Sequence, residues 1–420
     1  YVGLITGVGF ASKGHDVTCV DVVREKVEQI NKGGSPIFEE GLDELLKQVL
    51  KKGKFRATMD IKDAVINSEI SFICVGTPSR EDGSADLSYV ESAAKAIGSA
   101  LKEKKQYHVI IMKSTVIPGT TRNVLIPILE KESGKKAGPD FGVCMTPEFL
   151  REGKALEDFM NPDRVIIGSI DEKSKNKAKQ IHETKDRQFL VTSLSTAEMI
   201  KYASNAFLAT KISFINEIGN ICKELGIDTL QVAKGMGMDH RISRHFLRPG
   251  VGFGGSCFPK DVKALIHQAK NKLDYNPKLI SSVMEVNDDQ PVRLVGLAEK
   301  KIGDLKGKTA AVLGLAFKAG TDDIRESRAI EVINALLEKG VKVQAYDPKA
   351  METAKEVLGE KITYADSVAT AVNGADFCMI VTEWPEFTNI DFSGLKGKTV
   401  FDGRNILENK ADIDYVGLCW

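Results

Sequence analysis

The sequence predicts an α/β protein in which two parallel-sheet domains are joined by a central helical segment that contains a long helix. Short β-branched runs alternate with helical stretches towards both ends of the chain, which is the pattern of parallel sheets wrapped by helices. Between them the apolar residues recur at a long helical period. The 420 residues leave room for two to four domains. We expect domains at residues 1–195, 196–300 and 301–420.

The first domain begins with a predicted helix over residues 1–12, with Gly7 and Gly9 in its interior. Apolar and β-branched runs after it predict strands, and each run ends in an acid or a turn. These runs are His15–Asp21, Glu69–Val75, His108–Met112 and Phe141–Met145. The acid that ends the first run is typical of the second strand of a βαβ unit.

The middle of the chain predicts one long helix, from Thr196 to about Lys234. We interpret this helix as a connecting and self-associating element; the alternative is one more packed helix. A second α/β domain opens at Lys308, with a predicted helix over residues 327–339. Its predicted strands are residues 309–313, Val341–Asp347, Phe377–Thr382 and Thr399–Asp402.

Composition excludes several classes of protein. Lys+Arg and Asp+Glu both number 58, and no block of like charges suggests a nucleic-acid or membrane partner. The seven cysteines are scattered without a Cys-x-x-Cys pair, and the histidines show no metal-ligand spacing. This pattern argues against a disulfide framework or a metal site. No run approaches the roughly 20 apolar residues of a membrane span. A cytoplasmic protein is expected.

Part of a dinucleotide fingerprint lies at the start of the first domain, which makes this domain Rossmann-like. Gly3 can be the third glycine of Gly-x-Gly-x-x-Gly, and Asp21 follows at about the distance of the ribose-binding acid. A carboxylate there would repel a 2′-phosphate and favours NAD over NADP. The first two glycines would precede Tyr1, so we expect the 420-residue chain to bind NAD weakly or not at all.

The second Rossmann-like domain departs from this fingerprint. After Gly314 the second glycine position holds Ala316, followed by Phe317 and Lys318. A methyl group there impairs the close approach of backbone to a pyrophosphate. A nucleotide-diphosphate substrate, with the lysine as cation and the ring against a base or sugar, fits better than a second dinucleotide. The alternative is an ordinary aromatic and lysine at a strand end.

The most informative segment is the glycine-rich run Val251–Asp261, which contains Cys257. Pro259 suits the first turn of a helix. The cysteine would then lie at a helix N-terminus, where the dipole favours a thiolate. Asp261 would lie one turn further along the same face. The alternative is a buried, inert cysteine beside a turn.

Two further pairs share this four-residue spacing. Glu148 and Glu152 follow Pro147, a helix-start signal, and Lys201 and Asn205 lie on the predicted long helix. Each pair would occupy one helix face. A solvated surface pair is the ordinary alternative, but a cation, an amide, a thiol and carboxylates together suit an oxyanion hole, a base and a nucleophile.

Together these motifs resemble the UDP-glucose/GDP-mannose dehydrogenase family. The resemblance covers the whole chain in order, and the cysteine loop with Thr382–Phe387 resembles the UDP-glucose branch. Other nucleotide sugars stay open, since Arg248 stands where relatives carry Asn or Lys. The motifs are Tyr1–Gly3, Val75–Pro78, Lys113–Val116, Thr146–Glu152, Lys201–Phe207, Gly252–Asp261, Gly314–Lys318, Arg325–Ser327, Tyr346–Pro348 and Phe401–Arg404.

The resemblance implies a four-electron oxidation of the sugar C6 alcohol by two NAD, through a thiohemiacetal and a thioester on Cys257. Lys201 and Asn205 would stabilise the oxyanion, Asp261 would assist a water that Thr115 positions, and Glu148 would do acid/base work. An inactive nucleotide-sugar-binding protein is the alternative from another class.

The resemblance also implies the binding residues and a homodimer, in which Arg241 reaches the partner's site. The cofactor-binding residues would be Val2, Gly3, Asp21, Lys26, Thr77, Thr115, Glu152 and Arg325. The substrate-binding residues would be Glu148, Phe149, Leu150, Glu152, Lys201, Asn205, Arg241, Arg248, Gly254, Phe317, Lys318 and Arg404.

Overall fold

The structure is a computed structural model, and it describes residues 1–182, 188–392, 395–408, 410 and 413–420. The chain forms two compact units, Tyr1–Ser204 and Asn205–Trp420. Helix α9, Leu194–Leu225, begins in the first unit and ends in the second. Among the described residues, no helix is both long and apolar enough to cross a membrane. The predicted boundaries at residues 195/196 and 300/301 stay a prediction.

The first unit holds two groups of strands. Strands β1 and β2 pair in parallel, and β3 to β7 form a five-stranded sheet in sequence order. Within that sheet β5 and β6 pair antiparallel, which the pattern of apolar runs did not predict. The strands are β1 Val17–Val20, β2 Phe55–Thr58, β3 Ile70–Ile73, β4 His108–Met112, β5 Phe141–Met145, β6 Arg164–Ser169 and β7 Gln188–Thr192.

Helices cover both groups of strands. Strands β4 and β5 are buried along their whole length and read as continuous apolar runs, as parallel strands covered on two faces do. The helices before α9 are α1 Val2–Ser12, α2 Arg24–Asn31, α3 Leu42–Lys51, α4 Ile61–Ile66, α5 Ser88–Glu103, α6 Ile126–Ser133, α7 Ala155–Met160 and α8 Glu172–His182.

The helix predicted over residues 1–12 is confirmed, and its glycines serve packing. A Cβ on Gly9 would lie 2.1 Å from the ring of Phe159, and one on Gly7 would lie 3.0 Å from the ring of Phe55. Both residues are buried inside α1, as expected for helix interior. The glycines therefore let aromatic rings approach the helix backbone closely.

The long central helix is confirmed, but it ends at Leu225 and not near residue 234. Gly226 adopts a positive φ of 67°, and the N–H of Ile227 bonds back to the carbonyl of Cys222. A left-handed glycine with such a back-bond is a usual helix C-terminus. The Asp228 side chain then caps α10, Thr229–Gly237, by accepting the N–H of Leu230 at 2.9 Å.

The second unit contains a six-stranded, all-parallel sheet in the order β10-β9-β8-β11-β12-β13. A large apolar core packs on it, formed by strands β8, β9, β11 and β12 and the helices around them. The strands are β8 Thr309–Leu313, β9 Lys342–Tyr346, β10 Thr363–Tyr364, β11 Phe377–Ile380, β12 Thr399–Asp402 and β13 Asp414–Gly417. The remaining helices are α11 Phe258–Lys272, α12 Lys278–Ile302, α13 Arg328–Glu338, α14 Met351–Leu358 and α15 Val368–Val372.

Candidate active site

In the first unit, neighbouring strands β3, β4 and β5 run parallel and end at one edge of the sheet. Ligand sites of open α/β sheets form outside the carboxyl ends of the strands. Thr77 follows β3, Thr115 follows β4 and Glu148 follows β5. The structure thus brings three predicted site residues to one edge.

The loops after β3 and β4 are bonded to each other. Thr77 Oγ1 donates a hydrogen bond to the carbonyl of Thr115 at 2.8 Å. Ser114 Oγ donates to the carbonyl of Val75 at 2.6 Å. Because both hydroxyls bind backbone, they hold the two loops together as one platform.

A buried ion pair lies beyond this platform. Lys201 Nζ is 2.9 Å from Glu148 Oε1, and both side chains are almost completely buried. Glu148 Oε2 accepts the N–H of Leu150 at 2.6 Å. Burial alone would raise the pKa of Glu148, but Lys201, the Leu150 N–H and Lys113 together hold this pKa below its usual range. The site therefore presents a carboxylate and a lysine side by side in a buried environment.

Glu148 and Glu152 do not lie on one helix face, so this prediction is wrong. The segment from Thr146 to Lys154 is a loop, and α7 begins at Ala155, after Gly153 at a φ of 78°. The Glu148 carboxylate bonds its own backbone two residues on, and this local bond competes with helix formation. Glu152 is half-buried in this loop.

The other predicted binding residues of this loop surround the ion pair. The Phe149 ring lies 4.0 Å from the guanidinium of Arg164 and 5.3 Å from the ammonium of Lys201. Such cation–π contacts orient an aromatic ring next to charge. Leu150 supplies the backbone N–H that Glu148 accepts. The loop thus presents its polar groups around one carboxylate.

Three of the residues predicted to hold NAD lie at the end of β1 and the start of α1. Asp21 follows β1, and its Oδ1 accepts the N–H of Val23 at 2.9 Å. Val2 and Gly3 form the first turn of α1, and a Cβ on Gly3 would lie 3.4 Å from the Cβ of Cys74. An acid after this strand and a small residue in the first turn of the helix fit a dinucleotide. Lys26 lies exposed on α2.

In the second unit, the predicted cysteine loop is confirmed as a turn into a helix. Cys257 occupies the N-cap position of α11, Phe258–Lys272, with Pro259 in the first turn. Gly252 and Gly255 have φ values of 95° and 84°. The Sγ atom therefore lies at the N-terminus of a 15-residue helix, where partial positive charge favours a thiolate.

Asp261 lies one turn along α11 and is 1 % exposed. Its Oδ2 accepts a hydrogen bond from Asn205 Nδ2 at 2.6 Å, and its Oδ1 pairs with Lys260 Nζ at 2.6 Å. The buried carboxylate is thus bonded on both oxygens. Asn205 lies on α9, one turn after Lys201 in the chain.

Polar side chains of other helices clamp the cysteine loop. Asn287 on α12 bonds both backbone groups of Phe253, accepting its N–H at 2.7 Å and donating to its carbonyl at 3.0 Å. Arg328 on α13 donates from Nε to the same carbonyl at 2.7 Å. A Cβ on Gly254 would lie only 2.0 Å from the carbonyl oxygen of Glu326. These contacts therefore restrict the backbone of the loop that leads to Cys257 to one conformation.

The turn after β8 supports the prediction of a departure from the dinucleotide fingerprint. Asp347, at the end of β9, accepts the N–H groups of Leu315 and Ala316 at 2.7 and 3.0 Å. These are donors of the kind that would face a pyrophosphate. Phe317 packs at Gly255, where a Cβ would come within 2.6 Å of the ring, and Lys318 Nζ lies 5.3 Å from that ring.

Two predicted substrate arginines line one cavity of about 220 Å³ in this unit. These are Arg248 and Arg404, and Lys234 and Arg244 line the same cavity. Arg404 also donates from Nε to the carbonyl of Val381 at 2.7 Å. Four cationic side chains converging on one cavity suit an anionic ligand.

Two other predicted arginines are engaged locally. The Arg241 side chain bonds Asp239 and is mostly exposed, and the Arg325 side chain bonds Asp323 in the same way. The backbone carbonyl of Arg325 accepts the N–H of Gly255 at 2.9 Å. Arg325 thus contributes to the cysteine loop through its backbone.

Several residues of the two units were not predicted as site residues. In the second unit, Lys260, Asn287 and Arg328 bond the cysteine motif, and Lys234 and Arg244 line the cavity. In the first unit, Lys113 lies near Glu148. Lys113 directly follows the fully buried strand β4, and Lys260 lies inside the cysteine motif. The positions of Lys113 and Lys260 were sequence signals from which these two residues could have been predicted. Asn287 and Arg328 have no such signal, because they are distant from the cysteine motif in the chain.

Comparisons with known proteins match three segments of the chain to domains of one family. Models of the UDP-glucose/GDP-mannose dehydrogenase family match residues 1–186 as the NAD binding domain, 195–289 as the central domain and 311–409 as the UDP binding domain. UDP-glucose 6-dehydrogenase AglM of Haloferax volcanii is 43% identical over 425 residues, covering 100% of this chain and 98% of the relative.

Solved structures agree with these matches. A UDP-glucose dehydrogenase from Pyrobaculum islandicum aligns with a TM-score of 0.96 at 43% identity, covering 100% of this chain and 96% of that one. A UDP-D-ManNAc dehydrogenase from Pyrococcus horikoshii aligns at 0.87 and 31% identity, with 100% and 97% covered.

Proposed function

The chain belongs to the UDP-glucose/GDP-mannose dehydrogenase family, and we propose that it oxidises C6 of UDP-glucose to UDP-glucuronate with NAD, through a covalent intermediate on Cys257. The position of this cysteine carries the proposal. It lies at the N-terminus of α11, and the buried Asp261 follows one turn on. The higher identity and TM-score of the UDP-glucose dehydrogenase support UDP-glucose over an N-acetylhexosamine.

Four of the other six cysteines support this choice of nucleophile. Burial raises the pKa of Cys19 and Cys419 to about 11, and that of Cys74 and Cys144 to about 12. Thiols with raised pKa values are poor nucleophiles at neutral pH. All seven cysteines are free thiols, which also supports a cytoplasmic location.

The chemistry needs two oxidations and one hydrolysis. NAD⁺, when bound, would supply the hydride acceptor for each oxidation, and Asp21 with the first turn of α1 would hold it. The Cys257 thiolate adds to the C6 aldehyde and forms a thiohemiacetal, whose oxidation gives a thioester. Water then adds to the thioester carbonyl, the C–S bond breaks, and the uronate leaves with the thiolate restored. Each sugar therefore consumes two NAD⁺ and one water.

Named side chains take the remaining roles. Lys201 and Asn205 stabilise negative charge on the C6 oxygen. Glu148, an ionised carboxylate bonded to a lysine, exchanges protons with that oxygen. Asp261 assists the attacking water, and Thr115 positions it.

The basic cavity suits the nucleotide diphosphate. Arg248 and Arg404 supply charge from two segments, and Lys234 and Arg244 add to it. Arginine pairs with phosphate oxygens through parallel hydrogen bonds. Lys318, which follows the turn after β8, is a further cation for the sugar nucleotide. Binding of UDP alone, weakened by raised salt, would support this assignment.

We propose that a second copy of the chain binds an exposed apolar stripe on α9. Phe207, Phe214, Ile221 and Leu225 are exposed and follow each other at spacings of seven, seven and four residues, the repeat of a helix–helix seam. Phe214→Glu should convert the homodimer to a monomer in light scattering. Val357→Glu, at an exposed apolar residue of α14, is the matched control. An unchanged mass for Phe214→Glu would contradict the assignment.

The decisive experiment counts NADH formed per UDP-glucose consumed, using the whole gene product that carries this sequence. Two NADH per sugar are expected. Cys257→Ser should form no uronate and at most one NADH per sugar, whereas Cys222→Ser should behave as the unmodified protein. Full activity of Cys257→Ser with one NADH per sugar would indicate a simple two-electron dehydrogenase. UDP-glucose binding without NADH would indicate an inactive binding protein, and faster turnover of GDP-mannose or a UDP-N-acetylhexosamine would reassign the substrate.

A further inference from the structure

Glu198 on α9 is a buried carboxylate that the proposed mechanism does not use. It is 0 % exposed, among apolar residues that include Leu194 and Ala197 of the same helix. Its Oε2 accepts the backbone N–H of Gly119 at 2.5 Å, and its Oε1 accepts that of Thr121 at 2.8 Å. Both oxygens therefore grip one short stretch of backbone.

That backbone belongs to the loop that leaves β4. The loop carries Lys113 and Thr115 at its start, where Ser114 and Thr77 bond it to the end of β3. Its far end contains Gly119 and runs into a π-helical turn, Thr121–Leu125, a rare element that often marks functional sites. Glu198 holds this far end, so the segment between the two anchors has little freedom.

The helix side of this connection leads to the ion pair. Lys201 follows Glu198 by three residues on α9, so the two side chains are neighbours on the helix surface. Lys201 in turn bonds Glu148 at 2.9 Å. A single helical turn thus links the loop of Thr115 to the Glu148–Lys201 pair.

We propose that Glu198 is a positioning residue for thioester hydrolysis: by holding Gly119 and Thr121 from α9, it sets the loop of Thr115 against Lys201 and Glu148. This inference rests on the proposed function and adds a residue to it. Misplacement of the loop would misdirect the attacking water while leaving the nucleotide-sugar contacts of the second unit in place.

A purely stabilising role is a poorer account of this glutamate. Burial raises the pKa of Glu198 even though both oxygens accept backbone hydrogen bonds. Keeping the side chain ionised near neutral pH therefore opposes folding. A glutamine avoids that charge but has one acceptor oxygen, so it can accept only one of the two N–H groups. A carboxylate is needed to hold Gly119 and Thr121 together.

The test compares Glu198→Gln with Glu130→Gln. Glu130 lies on α6, where it also accepts a backbone N–H, that of Ala137 at 3.1 Å, and it bonds Lys136 at the surface. Each protein is mixed with UDP-glucose and excess NAD⁺. NADH is followed from the first turnover, and the acyl-enzyme on Cys257 is measured by intact mass after acid quench.

Glu198→Gln should form the first two NADH per subunit and then turn over about 10- to 100-fold more slowly, the effect of a displacement of about 1 Å. Its acyl-enzyme should accumulate, while its KM for UDP-glucose stays close to that of Glu130→Gln. A merely structural role would lower the folded fraction without accumulation of acyl-enzyme.

Other outcomes are equally informative. Equal turnover and equal acyl-enzyme in the two variants would overturn the inference, as would a loss of turnover without accumulation. If Glu198→Gln does not fold, Glu198→Asp, which keeps the charge, replaces it with the same expected accumulation. If the unmodified protein forms no NADH from UDP-glucose, the proposed function fails and this inference fails with it.

Discussion

Removal of Lys201 should expose the free-energy cost of a buried charge. Glu148 and Lys201 form an ion pair whose members are both almost completely buried. Breaking such a pair by removing one partner costs about 3–5 kcal/mol, because the other charge stays buried and uncompensated. We therefore expect Lys201→Met to lower the free energy of unfolding at pH 7 by about that amount.

The pH dependence of this loss has a definite sign. In the unmodified protein the pKa of Glu148 lies below its usual value, so its contribution to stability is complete above pH of about 4.3 and is lost as the pH falls through the folded pKa. Without Lys201, burial dominates and this pKa rises above the unfolded value. The penalty in Lys201→Met then disappears as the pH falls. The difference between the two proteins should shrink on acidification.

Urea unfolding at pH 7 and near pH 4 measures both effects. Glu148→Gln and the double variant complete a double-mutant cycle, and the double variant should recover much of the stability lost in Lys201→Met. The glutamine can still accept the Leu150 N–H through its amide oxygen. A loss below about 1 kcal/mol at pH 7, or one that does not depend on pH, would refute a buried, ionised pair.

Three further predictions concern other parts of the two units. Gly254→Ala places a Cβ 2.0 Å from a backbone carbonyl and should reduce dehydrogenase turnover by about 100-fold. Gly235→Ala, with open space at its Cβ, should leave turnover unchanged. Equal rates in the two variants would contradict the tight packing of the cysteine loop. Asn287→Leu removes the hydrogen bonds to both backbone groups of Phe253 and should cost about 1–3 kcal/mol in urea unfolding, and a neutral result would show that the clamp is dispensable. Burial lowers the pKa of His108 to about 4, so the free energy of unfolding should fall by up to about 3 kcal/mol as the pH drops from 6.5 to 4, and His108→Gln should flatten that profile.

Much of the local structure could be predicted because short segments encode it. Strands β4, β5 and β12 lie at the predicted residues, since apolar runs bounded by turn residues have few other conformations. The start of α11 followed from Pro259 after a glycine loop. The Glu148/Glu152 helix was wrong because a side-chain bond to the backbone of Leu150 competes with a proline signal.

The sequence by itself determined the two parallel-sheet segments, the long helix and the positions of Cys257 and Asp261, since each depends on residues close together in the chain. Only the tertiary structure decided which groups hold them. Glu148 bonds a lysine 53 residues away, and Glu198 grips backbone 77 and 79 residues away. These long-range partners depend on burial, because a charged group that is removed from water needs an opposite charge or hydrogen bonds to compensate it. Burial itself is a property of the packed chain and of no single segment.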